Sequence, residues 1–281
     1  MDQGEFTLDD REFRRIRERV YAVAGISLSD AKRTLVVSRL SKILRTLGIA
    51  SFSDYVDYLE TAGSAADEQA FVNALTTNLT RFFREDHHFA HLETYMRELL
   101  TTRPRGQRLR IWSAGCSTGQ EPYTIAVDLL AKFPDLRRWD FRILATDIDT
   151  NVIAKAATGI YPESELSGLS PERAALFERV GDGTIRIPAA ARELVAFKPL
   201  NLIAGSWPMR GPFDAIFCRN VAIYFDKPTQ GKLFGQLGRI LAPGGYLYIG
   251  HSENLGAGSE GFRLVGKTIY QLRQSQKREA A

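Results

Sequence analysis

The sequence predicts an α/β protein: a mostly parallel sheet with helices on both faces, preceded by a small all-α N-terminal domain. Three observations carry this expectation. Residues 8–100 repeat their apolar positions with the helical period almost throughout. The stretch Leu109–Glu121, LRIWSAGCSTGQE, reads as a strand, a glycine turn and a helix start. From there strands alternate with helices until two short strands close the chain, and such alternation calls for a parallel sheet covered on both sides. The expected organisation is a helical domain over 1–100, a linker over 101–108 and an α/β domain over 109–281, within which residues 161–192 form an insertion too long for a simple connection.

Bulk properties bound the rest. The chain has 281 residues, 44% hydrophobic and 25% charged, an ordinary globular balance with enough apolar residues for a sizeable core. No apolar run approaches the roughly 18 residues of a membrane span. The opening MDQGEFTLDD is acidic and polar, unlike a signal peptide. Cys116 and Cys218 are the only cysteines, which excludes a disulfide framework and fits a reducing cytoplasm. A net charge of +4 is a mild bias toward acidic partners and does not by itself imply nucleic acid.

The first helix runs from Leu8-Asp9-Asp10 through Phe13, Ile16, Val20 and Val23 to Gly25. A second starts at Ser29-Asp30, with Leu35, Val36, Leu40, Ile43, Leu44 and Leu47 on its apolar side, and stops at Gly48. Its other side carries Lys32, Arg33, Arg39, Lys42 and Arg45, which reads either as a solvated face or as a docking surface for an acidic partner. Two shorter helices follow, Ser51–Glu60 and Ala66–Thr76. Asn73–Glu85, rich in Thr, Asn and Arg around Phe82-Phe83, breaks the period and reads as a loop held by side-chain bonds, with Thr80 or Asp86 available as a helix cap. Asp86–Leu100 is again helical; His87 and His91 stand one turn apart without a third ligand, so no metal site is expected.

Strands are expected at Leu109–Ser113, Phe141–Thr146, Leu194–Phe197, Phe213–Cys218 and Tyr246–Gly250. Pro122 opens the helix after the first, Val152–Ala157 follows the second, and Thr229–Leu241 ends at Pro243-Gly244-Gly245. Phe262–Leu272 is a hairpin about Gly-Lys, and Gln274–Ala281 a charged, frayed tail. The insertion holds a helix over Ser170–Arg179, then Gly181-Asp182-Gly183 and the β-prone Thr184–Ile187.

In an open parallel sheet the ligand sits beyond the carboxyl ends of the strands, where strand order reverses. Those ends carry Gly115–Gly119, Asp147, Asn201-Leu202 and Arg219-Asn220. An acidic residue closing the second strand suits both ribose hydroxyls, so Asp147 is the candidate; Asp149 is better placed to cap the next helix. Nicotinamide and methyl-donor cofactors share this half-site. A sheet ending in an antiparallel hairpin fits the seven-stranded, Rossmann-like methyltransferase sheet and leaves no second half-fold for a dinucleotide. Asn220 is followed by Val-Ala-Ile-Tyr, so the Pro-Pro-Tyr loop of many nucleic-acid methylases is missing.

TTNLTRFFREDHHF, AGCSTGQEPYTIA, ATDID, CRNVAIYF and LAPGGYLYIGHSENL, in this order, resemble the chemotaxis receptor methyltransferase (CheR) family over about Phe6 to Leu272. The resemblance implies a helical domain joined to an S-adenosylmethionine domain that methylates glutamates on the cytoplasmic helical methylation region of chemoreceptors, releasing S-adenosylhomocysteine. It implies that Asn78, Thr80 and Arg84 close over the cofactor. Glu121 would hold its amino group and Asp147 its ribose, with Asn201 and Leu202 bordering the adenine. Gly115 would allow close approach, and Arg219 and Asn220 would line the donor side. Tyr224 with Arg84 is expected to orient the substrate carboxylate. Under the same resemblance the basic helix becomes the receptor-docking face. The resemblance makes the insertion 161–192 the family's small β-subdomain, but its turn Val180-Gly181-Asp182-Gly183 is shorter than in peptide-binding members, which argues against tethering to a receptor C-terminal pentapeptide.

The side-chain inventory agrees. A glutamate carboxylate, pKa about 4.3, is ionised at neutral pH and needs no general base. His251 is read as rim-lining rather than a base, and the two cysteines as packing residues. The competing readings are a small-molecule or nucleic-acid methyltransferase, and a noncatalytic cofactor-sensing scaffold.

Overall fold

Asp9 starts α1 (Asp10–Ala24): its side chain accepts from the backbone of Glu12 while the Glu12 carboxylate returns the bond, and Gly25 ends the helix at φ +69°. In this computed structural model, which describes residues 6–256 and 260–273, α1 buries Phe13, Ile16, Val20 and Ala24 against α2 (Arg33–Leu47), α3 (Phe52–Thr61) and α4 (Ala65–Leu75). A single 3-10 turn, Asp30–Lys32, precedes α2. Leu47, expected on the apolar side of α2, is 40% exposed, because Gly48 ends the helix before that turn reaches the core.

The next helix, α5 (His87–Thr102), belongs to a different core. Phe89, Leu92, Tyr95, Met96 and Leu99 pack with the sheet rather than with α1–α4. The boundary between hydrophobic cores therefore falls at the loop 76–86, not at the expected linker 101–108. Asp86 does not cap α5 with its side chain; it pairs instead with Arg173 at 2.5 Å.

The sheet strands are β1 (Arg108–Ala114), β2 (Asp140–Asp147), β6 (Val195–Pro199), β7 (Phe213–Cys218), β8 (Leu241–Ile249), β9 (Phe262–Gly266) and β10 (Ile269–Leu272). Their spatial order is β6-β2-β1-β7-β8-β10-β9, with β10 antiparallel to both neighbours and the first five strands parallel. All six residues of β7 are buried, as a central strand covered on both faces requires. α5 and α6 (Gln120–Lys132) pack on one face and α10 (Lys227–Ile240) on the other. Two boundaries differ from expectation. Pro243-Gly244-Gly245 lies inside β8, where the register against β7 shifts between Phe213 and Ala215. Pro122 is the third residue of α6, still in the turn whose N–H groups lack helical partners.

After α7 (Thr150–Thr158) the insertion forms a three-stranded antiparallel sheet, ordered β3-β5-β4, from β3 (Ile160–Pro162), β4 (Glu178–Gly181) and β5 (Thr184–Arg186). The expected helix over Ser170–Arg179 shrinks to α8 (Pro171–Ala174), because Glu178 and Arg179 pair with β5. A last short helix, α9 (Ala189–Arg192), leads back to β6. The tail Gln274–Ala281 lies outside the described residues.

Several bonds fasten the helical domain onto the tips of the sheet. The Asn201 amide donates to the carbonyl of Val23 at 2.7 Å, the Asn73 amide to Thr150 Oγ1 at 2.9 Å, and the Ser27 N–H to the carbonyl of Tyr224 at 2.8 Å. Between the two domains they enclose a cavity of about 290 Å³.

Candidate active site

Chain order runs outward from β1 through β2 to β6 on one side and from β7 to β8 on the other, so the sheet reverses between β1 and β7. The cavity opens at that crevice, beyond the carboxyl ends of both strands. Its floor is the turn after β1. Gly115 there has φ +84°, and a Cβ on it would stand 2.2 Å from Cγ2 of Val221. Ser117 is also left-handed (φ +48°), and its N–H donates to Asp147 Oδ2 at 2.8 Å. The other oxygen of Asp147 accepts the Asp149 N–H at 3.0 Å. Each oxygen of an ionised carboxylate carries two lone pairs, so Asp147 keeps acceptor capacity at the cavity wall. Burial pushes its carboxyl upward, opposed by those backbone N–H bonds.

Glu121, on the first turn of α6, accepts from Ser113 Oγ at 2.6 Å and pairs with Arg219 at 3.1 Å. Burial raises its carboxyl, while the Arg219 charge and the Ser113 bond oppose the rise. Arg219 directly follows β7, its side chain only 2% exposed. Its guanidinium lies between Glu121 and Glu85, the latter at 3.4 Å, and donates to the carbonyl of Arg84. Arg219 Nε is buried and has no partner among the described residues.

The opposite wall is the loop 76–86. The network of side-chain bonds expected there exists, but it centres on Asp149. That residue caps α7 through Oδ1 and accepts from Thr76 Oγ1 (2.7 Å) and the Asn78 amide (2.8 Å) through Oδ2. Ser117 Oγ donates to the carbonyl of Asn78 at 3.0 Å, so the loop is stitched to the turn after β1. Thr80 and Arg84 line the cavity beyond that stitch, Arg84 donating to the carbonyl of Leu79 at 2.9 Å. Tyr224, on a 3-10 turn after β7, lines the same cavity, its hydroxyl 3.4 Å from the carbonyl of Thr77. Leu202 and Asn220 also border it, Asn220 at φ +59°. The Asn201 side chain donates to the carbonyl of Val23 and accepts from the Ile203 N–H, which ties this edge of the cavity to the helical domain.

All of Asn78, Thr80, Arg84, Gly115, Glu121, Asp147, Asn201, Leu202, Arg219, Asn220 and Tyr224 thus meet at one cavity. Two expectations for the basic helix need correction. Arg33 pairs with Asp10 at 2.6 Å, and Arg39 donates to the carbonyls of Ala74 and Thr76 at the end of α4. Lys32, Lys42 and Arg45 remain exposed. His87 and His91 each bond a protein partner, the carbonyl of Lys267 and the hydroxyl of Tyr248. Burial raises the Cys116 and Cys218 thiols well above their ordinary value, which suits packing and not nucleophilic attack.

Sequence reasoning missed two carboxylates. Glu85, held at φ +57°, accepts from the backbone and ring of His251 and pairs with Arg219. His251 therefore anchors Glu85 instead of acting as a base. Glu253 is 8% exposed, and its oxygens accept the N–H groups of Asn220 (2.8 Å), Gly250 (2.5 Å) and Ile223 (3.2 Å). It braces the turn that carries Tyr224. A carboxylate next to Arg84 in the loop motif was the available signal for Glu85; for Glu253 there was only its place in HSEN.

One neighbour gives a pH dependence. Burial, then the charges of Arg219 and His87, hold the His88 imidazole down at about 3 from an ordinary 6.5. Burial alone would raise Glu85, yet the His251 bond and the Arg219 charge bring it from 4.5 to about 2. Both folded values lie below the unfolded ones, so their stabilisation is complete above the unfolded pKa and lost as pH falls. Unfolding free energy should drop progressively from about pH 6.5 toward 3, and H88N should flatten the upper part of that slope in urea titrations. An unchanged slope in H88N would remove His88 as the cause.

Acceptors of the right kind for ribose hydroxyls and an amino group (Asp147, Glu121) face donors for a carboxylate (Arg84 and the unpartnered Arg219 Nε), so the cavity fits a zwitterionic methionine joined to adenosine. Parallel strands closed by an antiparallel hairpin, with this donor and acceptor set at their tips, define an S-adenosylmethionine-dependent methyltransferase. Residues 11–76 match the profile described as CheR methyltransferase, all-alpha domain, and residues 78–271 match CheR methyltransferase, SAM binding domain. A probable chemotaxis protein methyltransferase of Rhizobium etli is 45% identical over 257 residues, 89% of this chain and 96% of its own. The chemotaxis protein methyltransferase of Escherichia coli is 44% identical over 272 residues, 94% of this chain and 92% of its own. The chain belongs to the CheR methyltransferase family.

Proposed function

We propose that this methyltransferase esterifies glutamate side chains on the cytoplasmic helical methylation region of chemoreceptors, and so serves sensory adaptation. The observation that supports this reading best is the meeting of Arg84, from the loop 76–86, and Tyr224, from the turn after β7, at a cavity whose other wall carries Asp147 and Glu121. Bound S-adenosylmethionine supplies an electrophilic methyl on a sulfonium, leaving S-adenosylhomocysteine. Asp147 takes the ribose, Glu121 the amino group, and Asn78, Thr80, Arg219 and Asn220 shape the walls around the donor.

The acceptor is an ionised carboxylate, so the protein's task is placement. Arg84 and Tyr224 hold one carboxylate oxygen and leave the other aimed at the donor. Burial pushes the Tyr224 phenol above its ordinary value, with the Arg84 charge opposing, so the hydroxyl stays protonated and donates. Among the described residues no helix is long and apolar enough to cross a membrane. The receptor reading itself places the encounter with the substrate helices in the cytoplasm. Radiolabelled S-adenosylmethionine with receptor-containing membranes tests the proposal: base-labile label on receptor glutamates is expected. Label in RNA, DNA or small molecules only, or none, would replace it with the competing readings.

Receptor docking falls to the exposed Lys32, in the turn before α2, and to Lys42 and Arg45 on α2. The K42E/R45E variant should raise KM for receptors about ten-fold at low salt while cofactor affinity stays as in wild type. Arg39 is a different case, because it holds the carbonyl of Thr76 beside Asn78; R39E should weaken the cofactor too. Equal KM for K42E/R45E and wild type would remove docking from this face. The Asp182-Gly183 turn of the subdomain is two residues long, and the proposal places no receptor C-terminal pentapeptide there.

A further inference from the structure

Of the large apolar side chains among the described residues, Leu79 is the most exposed, at 82%, and Ile223 is 47% exposed. Both border the mouth of the cavity, from two different loops. Neither is left outside by slack in its backbone. Asn78 is fixed on one side of Leu79 by Asp149 and Ser117, and the carbonyl of Leu79 accepts from Arg84. The N–H of Ile223 is held by Glu253, and the next residue is Tyr224. A single exposed leucine needs no explanation; two aliphatic side chains held into water by buried carboxylates, each beside a residue that grips the acceptor, do.

We propose that Leu79 and Ile223 form an apolar rim that seats aliphatic side chains lying one helical turn from the acceptor glutamate on the substrate helix. The inference rests on the receptor reading above and narrows it. On a helix, residues three and four apart share a face, so a glutamate inserted between Arg84 and Tyr224 brings its i±3 and i±4 neighbours to the mouth. The charges there fit the same occupant: Arg81 is exposed on the Leu79 loop and, with Arg84, favours the acidic side of such a helix. The rim would thus choose glutamates set among apolar neighbours over those in purely charged surroundings.

The test uses the full chain with receptor-containing membranes and measures KM, kcat, cofactor Kd and Tm for wild type, L79S, I223S and the double variant. The double variant should raise KM about ten-fold, with kcat and cofactor Kd within two-fold of wild type. A second arm uses receptors in which an apolar residue one turn from a methylated glutamate is replaced by serine. Wild type should lose about ten-fold in kcat/KM on that receptor, and the double variant should barely distinguish it from the unaltered receptor. A structural defect would lower activity on both receptors alike, without erasing the preference. Unchanged KM, a persisting preference, or a loss confined to cofactor Kd would each overturn the rim. Receptors left unlabelled by wild type would instead remove the receptor reading and the rim with it.

Discussion

Replacing Arg219 with methionine is expected to cost about 3–5 kcal/mol of unfolding free energy and to abolish cofactor binding. The guanidinium is 2% exposed and lies between two carboxylates, Glu121 and Glu85, that are themselves only 12% and 11% exposed. Removing it leaves two buried like charges facing each other and frees the carbonyl of Arg84. R219K should recover part of the stability, since a lysine restores the charge but cannot span both carboxylates with a planar fork. Urea unfolding gives the stability and calorimetry the affinity. A loss under about 1 kcal/mol would mean that the carboxylates are neutral or solvated in the folded protein, and the electrostatic account of the site would need replacing.

Substituting Gly115 by alanine is the second large effect. At φ +84° a left-handed alanine costs about 1–2 kcal/mol, and the new Cβ would sit 2.2 Å from Val221 Cγ2, adding about 1–3 kcal/mol of overpacking. Val221 borders the cavity, so its displacement should weaken the cofactor at least ten-fold as well. Adding V221A in the same chain removes the clash but not the backbone strain. The double variant is therefore expected to recover more than half of the lost stability and most of the affinity. If V221A gives no recovery, the glycine serves the backbone alone and the contact across the crevice is not what requires it.

Much of this architecture was legible in the sequence because the signals were local. FDAIFC is a short run, apolar but for Asp214, and it is β7 residue for residue. Gly25 and Gly48 ended their helices where φ had to turn positive. The errors came where a local pattern does not say what it faces. The apolar stripe of α5 is helical in either setting, and only the packing shows Phe89, Leu92 and Met96 facing the sheet. Glu178 and Arg179 continue a helical composition, yet pairing with β5 decides their state. Arg33 and Arg39 read as members of a charged face, while their actual partners are a carboxylate and three carbonyls far along the chain. Glu253 was invisible for a related reason: its partners are backbone N–H groups, which every residue but proline has.

Methyl transfer at this site requires an adenosine-type cofactor at the tips of β1, β2 and β7. Calorimetric titration of S-adenosylhomocysteine into the wild-type chain and into D147A tests this most directly. One site per chain, with affinity at least ten-fold weaker in D147A, is the expected result. No heat of binding in the wild type, or an affinity indifferent to Asp147, would contradict it.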